Sequence, residues 1–528
     1  MDITNEISDQ LEEFSLSASE EILLKMKEFC FAYNCTAEHI VDTWVAFSAT
    51  KKCDMQPTLG MLDHMEKEVL MKNSNKSTKN RKSVTTPVYN SATIDLFSDD
   101  RYDISGEPDR RNSASVKKSP IIFSPNSLTP TCFTPSRKFA SRTGAGEVVC
   151  SFGDTQNVGW KLSDEFSCSI IPYNEKATLQ DSYHFMCEKL RDRASILNDM
   201  IQDAAQYFEG KYDIHEWGHI QLPSVETVSV IGRICSDGSG RLTASSLLFE
   251  GSQEMCSGAM IPLDVSRLES FSLFPGQIIA GTGINSLGKK IILNNIYEGV
   301  FPLPSPEVPD LANCFDSLSV VVAAGPFATS DSLSYEPLND LMKYVKTNLP
   351  HVVILIGPLV DINNDLIEKG DVNETYDELF QNLIAEILKH IESSSTKVVL
   401  VPSFKDAHHD FVYPTPPYKT KMLTKRLFLA SDPCILNIEG VLFGVTSVDV
   451  LFHLGKEEIS FPQLPDRLGR LCGHLLTQRN FYPLYPPSED INIDYLQFEL
   501  YSGLPVRPHV LILPSDLRYF IKDINGCC

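Results

Sequence analysis

Val352-Val353-Ile354-Leu355-Ile356-Gly357-Pro358-Leu359-Val360-Asp361 is an unbroken apolar run that enters a Gly-Pro turn and ends on one carboxylate. A run apolar at every position, rather than at alternate ones, is expected of a strand covered on both faces, as in a parallel sheet. Four further runs fit the same reading: Leu318 to Ala324, Lys397 to Val401, Val441 to Val445 and Val510 to Leu513. The loops after them read Gly325-Pro326-Phe327, Pro402-Ser403-Phe404-Lys405-Asp406 and Pro514-Ser515-Asp516-Leu517-Arg518. In an α/β sheet ligands bind just beyond the carboxyl ends of strands. A pair of catalytic cations there would need closely spaced Asp, His and Asn side chains. This chain offers proline, phenylalanine, lysine and arginine instead, which predicts an enzyme-type scaffold lacking metal ligands.

The 528 residues imply two or three domains, and 42% hydrophobic with 22% charged residues is a globular composition. No apolar run approaches the roughly 20 residues that span a bilayer, so no membrane association is expected. The opening MDITNEISDQLEEF is acidic and helical in pattern, unlike a secretory leader. Fourteen cysteines occur without a C-x-x-C pair, which predicts reduced thiols rather than a zinc ribbon or disulfide framework. Cys527-Cys528 has only Lys522 nearby, too little basic charge for a lipid anchor. A net charge of −23 argues against a general nucleic-acid coat and favours encounter with basic protein partners.

Residues 1–72 read as a helical interaction module. Ile3, Ile7, Leu11 and Phe14 fall on one helical face. A second helix follows Ser19 through Ile22, Leu23, Met26, Phe29, Cys30 and Tyr33, a third has Thr36 as cap and carries Ile40 to Phe47, and a fourth follows Pro57. Residues 73–150 turn to Ser, Thr, Pro, Lys and Arg, too polar to bury a core, and are expected to be a disordered linker. Between Asn73 and Ala145 stand 12 Lys and Arg against 6 Asp and Glu, so the linker carries +6 and the remainder −29. Thr86, Ser119, Ser124, Thr129 and Thr134 each precede proline, making them candidate phosphorylation sites, and Thr134-Pro135-Ser136-Arg137 adds a basic third position. Residues 151–302 begin with an amphipathic helix over 181–208. Strands at Val228 to Ile234, Leu247 to Glu250, Ala259 to Leu263, Gln277 to Gly283 and Lys290 to Ile296 follow, with a helix expected at Asp264 to Phe271. This suggests a β-barrel of the OB type. Its Arg233, Arg241, Lys289 and Lys290 are dispersed and its aromatics sparse, so a protein-facing barrel is favoured over a single-strand reader.

The order and spacing of strands and loops over Ser317 to Asp523 resemble the calcineurin-like phosphoesterases. Active members follow their second strand with Gly-Asp-x-x-Asp, where this chain has Pro358 and retains only Asp361. Their Gly-Asn-His loop corresponds to Ser403-Phe404-Lys405-Asp406, and their Gly-His-x-His to Ser515-Asp516-Leu517-Arg518. The degenerate metal-site positions are thus Pro358, Asp361, Phe404, Lys405, Asp406, Asp516 and Arg518. With the barrel, linker and helical module, the whole resembles the B subunits of DNA polymerase alpha–primase, within the wider family of replicative polymerase B subunits. The stretches that carry this are Leu273-Phe274-Pro275-Gly276-Gln277, Ala324-Gly325-Pro326-Phe327, Gly357-Pro358-Leu359-Val360-Asp361 and His474 to Leu484.

The resemblance implies a nuclear, non-catalytic subunit with no cofactor. It implies binding of the C-terminal region of the polymerase alpha catalytic subunit, association with primase subunits, and contact with other replication factors through the N-terminal module. DNA would be met mainly through the complex, and the linker would be phosphorylated. An epsilon- or delta-type accessory subunit is the neighbouring alternative. An active phosphoesterase would need ligands drawn from Asp361, Asp365, Asp406 and His408. The run Asp406 to Asp410 is expected to be a polar surface loop, and His474 to lie in a helix or turn against the sheet. The Pro-rich stretches Tyr413 to Tyr418 and Tyr482 to Pro487 suggest Tyr413, Tyr418, Tyr482 and Tyr485 as partner-interface residues.

Overall fold

The structure is a computed structural model that describes residues 136–153, 168–238, 240–306, 318–462 and 466–528. In an N-terminal unit it describes residues 16, 18, 20–33, 40, 41, 44, 47, 57, 61, 62 and 65. The chain divides into Met1–Pro120 and Ile121–Cys528.

In the first unit, helix α1 (Glu20–Tyr33) buries Met26, Phe29 and Cys30 with Ile40, Val41, Trp44, Phe47, Leu62 and Met65. The expected helix over Ile3 to Phe14, the caps Ser19 and Thr36, and the candidate sites Thr86, Ser119, Ser124, Thr129 and Thr134 lie outside the described residues.

In the second unit the expected linker does not run free to residue 150. A short helix, α2 (Arg137–Ala140), is held against acidic side chains of the α/β domain from Ser136 onward. After strand β1 (Ile170–Pro172) comes α3 (Leu190–Tyr212). It starts nine residues later than the periodicity suggests, because Tyr183, Met186 and Glu188 in the preceding stretch are bonded to the α/β domain. The Tyr183 hydroxyl donates to the Pro414 carbonyl at 2.7 Å and the Met186 amide to Asp494 Oδ2 at 2.8 Å.

Five strands close a barrel in the order β2-β3-β4-β7-β6: β2 (Ser224–Ser236), β3 (Leu247–Glu250), β4 (Met260–Asp264), β6 (Ile278–Asn285) and β7 (Ile291–Ile296). A short helix, α4 (Gln253–Cys256), joins β3 to β4, and a strand outside the barrel, β5 (Phe271–Leu273), precedes β6. The helix expected at Asp264 to Phe271 is a turn instead. Asp264 accepts the Ser266 amide at 2.9 Å and pairs with Lys290 at 2.7 Å, which favours a local turn over a helical start. Val265 and Leu268, spaced by three, plug the barrel core and so imitate a helical stripe. Strand β8 (Leu303–Pro304) leaves the barrel.

The α/β domain is a sandwich of two four-stranded sheets. The first, in the order β12-β11-β10-β9, is parallel: β9 (Val320–Ala324), β10 (Val352–Ile356), β11 (Lys397–Val401) and β12 (Leu427–Leu429). Between its strands lie α5 (Glu336–Asn348), α6 (Asp365–Lys369) and α7 (Tyr376–Ile391). The second sheet orders β1-β13-β14-β17, with β13 (Cys434–Ile438), β14 (Val441–Val445) and β17 (Val510–Ile512). The remaining elements are α8 (Val450–Glu457), β15 (Ile459–Phe461), α9 (Arg467–Thr477), α10 (Tyr495–Tyr501) and β16 (Val506–Arg507). Strand β10 shows why its sequence is continuously apolar. Val352, Ile354 and Ile356 face the second sheet, while Val353 and Leu355 face α5 and α7. Alternate side chains of a strand point oppositely, so two covered faces demand apolar residues at every position. Fully burying each such side chain stabilises by roughly 1.5–3 kcal/mol.

Candidate functional site

A cavity of about 770 Å³ lies at the carboxyl ends of β9, β10 and β11, walled by the chain after β17. Pro358, Asp361, Lys405, Asp516 and Arg518 line it, with Ser403 and Asp449. Asp361 Oδ1 is occupied locally, accepting from the backbone amide and the side-chain amide of Asn363 at 3.1 and 3.2 Å. Asp516 and Arg518 are exposed, and the Asp516 backbone amide donates to Asp449 Oδ2 at 2.8 Å. Phe404 turns away from the cavity into an apolar cluster with Val448, Leu451 and Tyr482. Among the described residues, no three His, Cys, Asp or Glu side chains come together at metal-binding spacing.

Asp406, expected from the resemblance to be a degenerate metal-site position, has a structural task here. It is buried, and its Oδ1 accepts the amides of Leu359 and Val360 at 2.6 and 2.9 Å. Its Oδ2 accepts the Ser403 amide at 3.1 Å and the Tyr418 hydroxyl. Asp406 therefore staples the loop after β11 to the loop after β10, a link continued by the bridge Asp361–Asp406. Burial pushes its carboxyl up to about 6, against the opposing pull of these donors. Gly357 is required beside it: a Cβ there would meet the Tyr418 hydroxyl at 2.6 Å, Asp406 Oδ2 at 2.7 Å and the Ser403 amide at 2.9 Å.

The segment Asp406 to Asp410 is thus not a polar surface loop. The His408 side chain is buried, stacks on Phe380 at 4.1 Å between ring centroids, and has no hydrogen-bond partner at either nitrogen. Burial drives its pKa down to about 3, so it is a neutral packing group. Asp365 opens α6 and is exposed. The four side chains that an active site would need do not converge.

The tyrosines expected at a partner surface are corrected in the same way. Tyr413, Tyr482 and Tyr418 are 0%, 1% and 2% exposed. The Pro-rich segments pack beneath the surface, where the rings supply apolar area. The Tyr482 hydroxyl accepts the Ser488 amide and meets His453 Nδ1, both at 3.0 Å. Tyr485 is half-buried, edge-on to Tyr495, with its amide donating to the Pro275 carbonyl at 3.0 Å.

That last bond belongs to a seam that sequence reasoning missed. The stretches Leu273 to Gln277 and His474 to Leu484, far apart in the chain, are the two sides of one joint between barrel and α/β domain. Strand β5 pairs antiparallel with β15, and β8 pairs parallel with β16. The Gln478 side chain acts as a strand, accepting the Ile278 amide at 2.8 Å and donating to the Ile278 carbonyl at 2.9 Å. Arg479 donates to the carbonyls of Val300 and Phe301 and stacks 3.6 Å over Tyr207. At the centre, Glu458 accepts from Arg470 at 2.7 and 3.0 Å and from Ser272, with His474 Nε2 at 3.3 Å. Burial opposes the charge of Glu458, but His474, Arg470 and Ser272 together hold its carboxyl down at about 2. Gly276 has φ +92°, and a Cβ there would meet the Tyr485 amide nitrogen at 2.3 Å. His474 lies in a helix as expected, facing this seam. Helix α3 spans it too, packing Ile196 and Leu197 on the α/β domain and Ile201, Ala205 and Phe208 on the barrel.

On the barrel, Arg233 is not a groove cation. It is buried, pairs with Glu250 at 3.0 Å and donates to the Leu197 carbonyl. Lys290 is committed to Asp264. Cys527 is buried and the Cys528 carbonyl accepts the Leu511 amide at 2.8 Å, which seats this pair beside β17. No helix among the described residues is long and apolar enough to cross a membrane.

Three family models match the chain in succession. The first describes the N-terminal region of the DNA polymerase alpha B subunit and matches residues 5–72. The second describes the OB domain of the same B subunit and matches 194–299, and the third describes the B subunit of DNA polymerases alpha and epsilon and matches 320–522. The DNA polymerase alpha B subunit of Rattus norvegicus is 37% identical, over 99% of this chain and 92% of its own length. That of Mus musculus is 35% identical over the same shares, and that of Drosophila melanogaster 29%. Two of the three models are specific to the alpha type, and the five-stranded barrel coincides with the OB match. With similarity running along nearly the whole chain on both sides, this protein belongs to the family of DNA polymerase alpha B subunits.

Proposed function

We propose that this chain is the non-catalytic accessory subunit of a nuclear DNA polymerase alpha–primase complex. It holds the C-terminal region of the catalytic subunit while RNA–DNA primers are made at origins and on the lagging strand. Primase subunits join through the same complex, other replication factors through the N-terminal module, and DNA is met mainly through the assembly.

The observation that carries this reading is the fate of Asp406. A two-metal centre needs carboxylates aimed into the cavity, and this one is spent on four internal donors. Pro358 cannot ligate, Phe404 is turned into the core, and Lys405 and Arg518 bring positive charge to the cavity wall. These residues do not fit a pair of cations, and no reaction step is assigned to them. A fold relieved of catalysis can keep its core and use its surface for assembly.

Affinity purification of the full chain tests this. Recovery of an alpha-type polymerase together with primase supports it. Recovery of an epsilon-type polymerase without primase contradicts it, as does phosphodiester turnover by the purified chain with manganese.

A further inference from the structure

We propose that Ser136–Arg142 is a latch held on the α/β domain by three acidic side chains, and that phosphorylation of Ser136 releases it. The Ser136 amide donates to Glu336 Oε2 and its hydroxyl to Asp331 Oδ1, both at 2.8 Å. The same hydroxyl oxygen accepts the Phe139 amide at 3.0 Å, capping α2. The Lys138 amide donates to Asp331 Oδ2 at 3.5 Å and its ammonium to the Ser330 hydroxyl, and Arg142 pairs with Asp340 at 2.7 Å while stacking 3.5 Å over Phe139. Three carboxylates thus hold the segment: Glu336 and Asp331 accept from the Ser136 amide, the Ser136 hydroxyl and the Lys138 amide, and Asp340 pairs with Arg142. Ser136 is buried, whereas most of the segment after it is exposed and Phe139 is only half-covered.

The attachment is therefore polar, with little apolar anchoring. A helix of four residues has no stability of its own in water, so its order depends on these contacts. The Ser136 hydroxyl, with Thr329, holds the Asp331 carboxyl down at about 2, so it stays charged around neutral pH.

Arg137 and Lys138 directly follow Ser136, the pattern of a basophilic kinase substrate. Such a kinase, acting on the momentarily open segment, moves the terminal phosphoryl group of ATP to the Ser136 oxygen. An O–P bond forms, the β–γ bridging P–O bond breaks, the hydroxyl proton is lost and ADP departs. The donor that faced Asp331 becomes a group of about −2 charge. It would lie within hydrogen-bond distance of Asp331 and close to Glu336, where like charges repel without effective screening. The inference does not depend on the identity of the polymerase partner.

Amide hydrogen exchange on the full chain tests it. In the docked state the amides of Phe139, Ala140 and Ser141 are bonded, to Ser136 Oγ and to the carbonyls of Ser136 and Arg137. Ser136→Asp keeps a capping carboxylate but adds charge against Asp331, and should exchange at least about tenfold faster over these amides. Asp331→Lys placed in that variant should restore protection by offering the opposite charge. The proposal is overturned if Ser136→Asp is as protected as the natural chain, or if Asp331→Lys fails to rescue it. Kinase-phosphorylated chain should behave as Ser136→Asp does, and slower exchange after phosphorylation, through pairing with Arg137, would equally contradict release.

Discussion

At the strand ends, Asp406 is buried beside the cavity-lining Lys405 and bonds inward to its own loops; at the barrel seam, Glu458 binds Arg470 of its own domain and accepts Ser272 from across the joint. Both carboxylates are buried, yet burial raises the first to about 6 while hydrogen bonds from His474, Arg470 and Ser272 hold the second at about 2. The difference lies in what surrounds each. Asp406 has neutral amides and a phenol, whereas Glu458 has a guanidinium and an imidazole. A buried carboxylate with a cation remains charged and joins elements, and one without a cation tends toward the neutral form. The cavity opens at the strand ends, and the seam carries the ionic network.

The largest effect should come from Glu458→Ala, which strands Arg470 and His474 at the seam and is expected to cost about 3 kcal/mol. Urea unfolding of the second unit measures it. The sign with pH also follows. Because the folded carboxyl is depressed, its stabilisation is present above the unfolded value of roughly 4.3 and is lost as pH falls toward about 2. Gly276→Ala comes next, at about 2 kcal/mol, since both the positive φ and the contact with Tyr485 resist a Cβ.

Asp406→Asn should cost about 1–2 kcal/mol, because its amide would present a donor to the Ser403 amide. Here the pH dependence is reversed. A raised folded pKa gives stability that is full below the unfolded value of roughly 3.9 and is lost as pH rises through about 6. The natural chain and the Asn variant should therefore converge in urea midpoint as pH rises from 4 to 7. Parallel curves would mean that Asp406 is charged throughout. The smallest effect is expected from Lys405→Ala or Arg518→Ala on the cavity wall, within about 0.5 kcal/mol in the same assay.

Much of the α/β domain was legible in its sequence. The runs at Val352 to Ile356, Lys397 to Val401 and Val441 to Val445 are strands with those bounds, because coverage of both faces leaves a continuous apolar signature. The barrel strands were legible to within a few residues, apart from the early start of β2, but Val265 and Leu268 mimicked a helix because a turn can place i and i+3 on one side. That Pro358, Asp361, Lys405, Asp516 and Arg518 meet at one cavity followed from their places after the strands, whereas the inward aim of Asp406 did not, since it depends on loops folding over one another. Tyr413, Tyr418 and Tyr482 misled because aromatics beside prolines suit a surface or a core equally well. The seam was illegible for a different reason. Ser272 meets His474 and Ile278 meets Gln478 across about 200 residues, a distance over which spacing rules carry no information.

Altering the cavity and the seam separately, and measuring assembly, tests most directly whether this fold is a platform. The full chain carrying Asp361→Asn, Lys405→Ala and Arg518→Ala should co-elute with the C-terminal region of an alpha-type catalytic subunit as the natural chain does, in size-exclusion chromatography. Gly276→Ala, which disturbs the joint, should weaken that complex. Loss of assembly in the cavity variant, with the Gly276→Ala complex intact, would contradict the claim that this fold serves as a platform rather than a site.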